Sequence, residues 1–377
     1  MPIDTIQQIV KTIQAKKHIL VTTRANPSGD AVASALAFCL IAKRMGKRVS
    51  IAIDCQEFGL PGHLHFLPGY DSIETMLAKQ SEMVLEFDLN HDSIRGLTYE
   101  VRNNKLMIRI FPTQTGITLS APRAREAHYP YDLIAVVDAC DLESLGSIYE
   151  EHTEFFYHTP IINIDHQPEN EYFGELNLVE MTAVATTEIL FSLAEKLASN
   201  PLDAPLATCL LAGIIHESRS FQTQNITPHT LAIASELMTM GADRSQIIQN
   251  LFYNKPISAL QLWGRLLANM ETSDKPSMAW AVVTQEDFEH THTNEHDLVS
   301  LLDDLLQHAP QTDVVAILYP SQDAWKAIVH THKPSIDLRH ALGRLEPSGS
   351  RKLVTLELMV RSAHEATEII KQSLLQN

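Results

Sequence analysis

Four short polar clusters in this chain concentrate groups that can do chemistry: RANPSGD (residues 24–30), DACD (138–141), DHQ (165–167) and HES (216–218). Each follows an apolar run: HILVTT (18–23), LIAVV (133–137), IINI (161–164) and LATCLLAGII (206–215). In open α/β sheets, working groups collect beyond the carboxyl ends of the strands. A single strand-end carboxylate often only caps the next helix, and Asp30 alone fits that role. If one sheet edge gathers all four clusters, their acids and imidazoles must be paired, protonated or metal-bound to be tolerable.

The elements that would position these groups can be read from the apolar pattern. HILVTT, RVSIAID (48–54), LIAVV and IINI read as buried strands, with a helix over residues 30–44 after the first polar loop. Continuous apolar strands separated by helices predict βαβ units, hence an α/β fold with a parallel, doubly wound sheet. Between residues 83 and 125 the pattern alternates instead, in MVLEFDL, LTYEV and KLMIRIF, the last two joined by Asn103 and Asn104. That predicts an antiparallel insertion on the sheet edge with a hairpin turn. Residues 182–271 read as nearly all helical, and the polar TSDKPS (272–277) is the linker candidate. Beyond it, MAWAVVT, TDVVAILYP, WKAIVHTH and KLVTLELMV read as strands and residues 295–308 as a helix. The expected organisation is a domain over residues 1–271 and a smaller α/β domain over 278–377.

Composition narrows the function. The 377 residues are 45% apolar and 20% charged, enough to build packed cores. Lys and Arg total 29 against 46 Asp and Glu, a net charge of −17. Such a surface repels phosphate backbones, which argues against long duplex nucleic acid as a partner. Cys39, Cys55, Cys140 and Cys209 lie far apart, two in apolar stretches, and read as free thiols in a reducing compartment. The apolar run over 31–42 is broken by Ser34 and too short to span a bilayer, so no membrane role and a cytoplasmic location are expected.

Taken together, the clusters resemble the motifs of the DHH phosphoesterases, which include bacterial enzymes acting on very short RNA oligomers and on 3′-phosphoadenosine 5′-phosphate. VTTRANPSGDAVASALAF is similar to the first motif, YDLIAVVDACDLESLG to the second, INIDHQPENEYFGELNLVE to the third, and LLAGIIHESRSFQTQNITPHTLAIASELMTMGAD to the fourth. The resemblance covers almost the whole chain. It implies a DHH domain with a helical extension, then an associated C-terminal domain that holds substrate with a glycine-rich loop. It also implies two divalent cations, usually manganese, sharing Asp138.

The departures are as informative. Arg24 and Ser28 stand where the family has a His and an Asp that hold one cation. A guanidinium offers only donors and does not deprotonate, so it cannot ligate a metal. The other cation's positions read Asp30, Asp138, His166 and Glu217, an oxygen-rich set with one imidazole that suits Mn²⁺ or Mg²⁺. Without a metal, Arg24 could instead pair with Asp30 and Asp138. Gln167 replaces the second His of the third motif and keeps a hydrogen-bonding group without charge. Gly349 alone does not make a phosphate nest; the following Arg351 and Lys352 read either as solvated charges or as phosphate contacts.

Other residues take plainer readings. His290, His292 and His296 read as solvated, Lys43, Arg44, Lys47 and Arg48 as favourable charge at a helix end, and Trp263 and Trp280 as packing. Arg219 and Arg265 matter only if they face the cleft, and Thr182 reads as a helix cap. The sequence therefore predicts a divergent DHH-type protein that recognises small nucleotides or short oligonucleotides, hydrolysis lost or strongly reduced, and a homodimer permitted. Its expected site is Asp138, His166 and Arg24 for chemistry, Asp30, Asp138, His166 and Glu217 for at most one ion, and Gln167, Asp165, Arg351 and Lys352 for substrate. The alternative is an active one-metal phosphodiesterase or phosphatase.

Overall fold

Strand β1 (His18–Thr22) forms in a nearly continuous apolar run, and β2 (Arg48–Ala52) and β3 (Ile73–Glu74) follow it in the same sheet. This computed structural model describes residues 5–55, 59–77, 84–86, 94–102, 105–113, 123–125, 129–197, 202–254, 256–295, 297–298, 301–302, 305, 312–321, 324–331, 333 and 335–375. Strands β4 (Val84–Glu86), β5 (Ile94–Arg102), β6 (Lys105–Pro112) and β7 (Arg123–Arg125) belong to a separate compact unit spanning residues 78–130. Strands β8 (Leu133–Val137), β9 (Ile161–Asp165) and β10 (Leu176–Val179) return to the first sheet.

That sheet runs β10-β9-β8-β1-β2-β3 with every pair parallel. β1, β8 and β9 are neighbours, with Thr22 opposite Val136 and Val136 opposite Asn163. Their carboxyl ends are therefore in step, and the polar residues that follow them emerge side by side. The helix Gly29–Arg44 is capped by Ser28, whose side chain accepts from the Ala31 N–H, and it is buried along nearly its whole length. It packs between the sheet and the helices Thr186–Leu197 and Ala204–Glu217. Ile9 and Ile13, one helical turn apart in Thr5–Ala15, close the same core.

The second sheet runs β11 (Glu271–Asp274), β12 (Ser277–Val282), β13 (Val314–Ser321), β14 (Ala324–Thr331), β16 (Leu353–Leu358), β15 (Ser348–Gly349). Only β12 and β13 pair in parallel. Alternation along β13 sends Val315, Ile317 and Tyr319 to one core and Val314, Ala316 and Leu318 to the other.

Several expectations are corrected in detail. The stretch 272–277, read as a linker, lies in the antiparallel hairpin β11–β12, which turns at Lys275 and Pro276 on the edge of the second sheet. The helix expected from Thr182 starts at Thr186, and the Val184 N–H is held by the Glu188 side chain, one turn inside it. Most of the helix expected over 295–308, and the turn at Asn103 and Asn104, lie outside the described residues. Within the separate unit, β5 and β6 pair antiparallel with Leu97, Tyr99 and Val101 opposite Ile110, Ile108 and Leu106. Among the described residues, no helix is long and apolar enough to cross a membrane.

Candidate functional site

Asp138 leaves the end of β8 in a left-handed conformation (φ 53°), with its N–H bonded to the Ile164 carbonyl at 3.0 Å. Aspartate tolerates that region better than most side chains, and such backbones concentrate at working sites. Asp30 comes from the first turn of the helix after β1, and His166 from the end of β9. Ligand atoms of Asp30, Asp138 and His166 all lie within 4.8 Å of one another. Glu217, at the end of Ala204–Glu217, stands one step out, with Oε1 4.0 Å from His166 Nε2.

A residue not picked from sequence ties the trio together. Thr186 donates its hydroxyl to Asp138 Oδ1 at 3.0 Å, lies 3.0 Å from His166 Nδ1, and donates its backbone N–H to Asp30 Oδ2 at 2.8 Å. Thr187 adds its own N–H and hydroxyl to Asp30 Oδ1. Their segment, TAVATTEIL (182–190), lies far from Asp30 in sequence, and only the tertiary fold brings this helix start, 156 residues away, onto it. Gly213 makes the close approach feasible, since a Cβ there would collide with Asp30 Oδ1 and the Thr187 side chain.

Arg24 Nε sits 3.6 Å from Asp138 Oδ2, and Ser28 Oγ reaches the same oxygen at 3.4 Å while capping its helix. The guanidinium and the hydroxyl thus share one carboxylate oxygen of Asp138. Burial works against Asp138's charge, but the hydrogen bond from His166 and the charge of Arg24 hold its carboxyl well below the usual range. For His166, burial is outweighed by the hydrogen bond and charge of Asp138, which push the imidazole up to about 10. Burial, then the charge of Asp138, pushes Asp30 up to about 7 and Asp165 up to about 6. The grouped donors of Asp30, Asp138 and His166, two carboxylates and an imidazole, fit a divalent cation, whereas the Arg24 guanidinium has no lone pair to give one.

Around this centre the other expected residues fall into distinct places. Asp165 is fully buried and accepts from the N–H groups of His166 and Gln167 and from Asn170 Nδ2, which fixes the loop. Gln167 Oε1 accepts from Lys352 Nζ at 2.9 Å. Arg351 and Lys352 are not the solvated pair that their hairpin suggested. Arg351 Nε lies 3.3 Å from Asp141 Oδ2 and 3.5 Å from Asp337 Oδ2, its Nη2 pairs with Glu171, and Lys352 faces Glu169. Arg339, also unforeseen, donates to Asp141 Oδ2 at 2.8 Å. These contacts tie the loops beyond the first sheet to β16 and its approach. They bound a cleft of about 90 Å³ lined by Arg24, Gln167, Glu169, Asp337, Arg351 and Lys352 among others.

The remaining candidates stand away from the cleft. Arg265 pairs with Asp287 at 2.7 Å, Trp280 packs under Lys371, and Lys47 Nζ caps the end of Thr5–Ala15 through the Gln14 carbonyl. His290 pairs with Glu286 on an exposed helix face. Arg219, Ser220 and Phe221 form three consecutive left-handed residues after Glu217, held by N–H bonds to His216, Ile215 and Ser218.

A parallel α/β sheet with a carboxylate–imidazole centre beyond its carboxyl edge, suited to one divalent cation, defines the class. The chain belongs to the DHH family of phosphoesterases: the model of the DHH family, N-terminal domain, matches residues 18–214. It is 30% identical over 136 residues to a protein of Thermus thermophilus named bifunctional oligoribonuclease and PAP phosphatase NrnA, covering 34% of this chain and 41% of that one. It is 25% identical over 172 residues to the protein of that name in Bacillus subtilis, covering 45% of this chain and 54% of that one. The match thus spans about half or less of these relatives' length. An exopolyphosphatase-related protein from Bacteroides fragilis shares the fold, with TM-score 0.71 at 17% identity over 99% of this chain and 96% of that one.

Proposed function

We propose that this chain is a divergent DHH protein that recognises small nucleotides or short oligonucleotides, with hydrolysis lost or strongly reduced. The carrying observation is the Arg24 guanidinium 3.6 Å from Asp138 Oδ2, which supplies fixed positive charge to the carboxylate that the resemblance makes the shared ligand of two cations. The Thermus thermophilus relative's name, bifunctional oligoribonuclease and PAP phosphatase, supports the substrate class. On this reading residues 1–271 carry the centre and 278–377 complete the cleft, with Gln167, Arg351 and Lys352 binding substrate oxygens and Asp165 holding their loop.

Asp30, Asp138, His166 and Glu217 would hold at most one Mn²⁺ or Mg²⁺. Such an ion supplies Lewis-acid polarisation and an activated water. The chain's own residues do the positioning: a neutral His166 carrying its proton on Nδ1 donates to Thr186, whose hydroxyl donates on to Asp138, and Nε2 keeps its lone pair. A second reading, a working one-metal hydrolase, is favoured by the 4.8 Å grouping of Asp30, Asp138 and His166. Its Arg24 would stabilise charge on phosphoryl oxygens.

The test is turnover of a ribodinucleotide and of 3′-phosphoadenosine 5′-phosphate by the purified protein with manganese, beside calorimetric titration of metal and nucleotide. Nucleotide binding without turnover is the expected result. Turnover that disappears in D138N establishes the hydrolase instead.

A further inference from the structure

The cleft lining mixes cations with carboxylates, of which Asp141 and Asp337 are paired with Arg351. Arg24, Arg351 and Lys352 offer positive charge for phosphate oxygens. Glu169, beside them, offers a carboxylate, and among the described residues neither of its buried oxygens has a hydrogen-bond donor. The nearest cation, Lys352, holds its Nζ 3.8 Å from Oε2, beyond hydrogen-bonding reach, and donates to Gln167 Oε1.

A buried carboxylate without donors is costly, and native structures keep few such groups without a reason. The backbone around Glu169 is pinned. Gln167 N–H is held by Asp165, and Asn170 is committed to Asp165 and to the Ala139 carbonyl. Two fixed acceptor oxygens set beside phosphate-type cations repel phosphate themselves, but match two adjacent N–H or O–H donors.

We propose that Glu169 is a specificity-determining residue that accepts a pair of donors from the uncharged part of a bound nucleotide. Two groups carry that chemistry: the ribose cis-diol, and the N1–H and N2–H edge of guanine. The inference rests on the nucleotide reading above and assigns one side chain to the choice among nucleotides.

The experiment is calorimetric titration of wild type, E169Q and E169D with AMP, GMP and 2′,3′-dideoxy-AMP, with unfolding midpoints measured for each variant. If the diol is read, E169Q weakens AMP and GMP at least tenfold and leaves dideoxy-AMP unchanged. If the guanine edge is read, E169Q weakens GMP alone. E169D, which keeps the charge on a shorter arm, is expected between wild type and E169Q, and replaces E169Q if that variant does not fold. Affinities within twofold of wild type for every nucleotide, with a lowered midpoint, overturn the proposal and leave Glu169 as a partner of Lys352. Wild type that binds none of the three overturns the nucleotide reading itself, and this proposal with it.

Discussion

Arg24 and Asp138 face each other across the sheet edge with Nε 3.6 Å from Oδ2, so the residue that most favours a cation here already has one supplied by the chain. Removing that guanidinium frees the carboxylate for a metal. R24A should therefore bind Mn²⁺ about tenfold more tightly than wild type, equivalent to about 1.4 kcal/mol. Paired calorimetric titrations decide it, and unchanged affinity would mean that Arg24 does not compete with an ion.

Restoring the lost ligands is the stronger form of the same experiment. R24H combined with S28D puts an imidazole and a carboxylate on the Arg24 side of Asp138. Metal stoichiometry should rise by one over wild type. Ser28 also caps its helix, but aspartate caps comparably, so the fold should be retained.

Thr186 joins Asp30, Asp138 and His166 through one backbone and two side-chain contacts. T186V keeps the shape and removes the hydroxyl, leaving buried polar partners unmatched. Chemical denaturation should show a loss of about 1–3 kcal/mol, together with weaker metal binding. A purely structural threonine would lower stability and leave metal affinity alone.

Gly213 is packed against Asp30 and Thr187. G213A forces these buried groups to move, and overpacking of this kind costs about 1–3 kcal/mol. Metal affinity should fall together with the unfolding midpoint.

Acid should weaken the second sheet's surroundings through Asp287. Burial opposes its charge, but the N–H and hydroxyl of Thr284 and the charge of Arg265 hold its carboxyl below the usual range. With a folded value below the unfolded one, about 3.9, this contribution is complete above that value. It disappears as pH falls through the depressed folded value. D287A, which also loses the capping box, should be less stable at neutral pH by about 1 kcal/mol. The gap to wild type should shrink in urea titrations taken towards low pH.

What the sequence by itself determined is local. Unbroken apolar runs specify strands buried on both faces, and the polar residues that end HILVT, LIAVV and IINID mark where chemistry can sit. From those patterns the parallel sheet and the polar clusters at its edge were legible, and the family resemblance singled out Asp30, Asp138 and His166 among them. Long-range approach was not. Nothing in the local pattern of TAVATTEIL says that Thr186 meets Asp30, because that contact depends on Gly213 letting one helix close on another. Nor does the hairpin carrying Arg351 and Lys352 announce Asp141, Glu171 and Glu169 as partners. A charge on a short loop looks solvated in one dimension. Only the packing of the second sheet against the loops of the first removes that water, and desolvation turns scattered charges into a cleft.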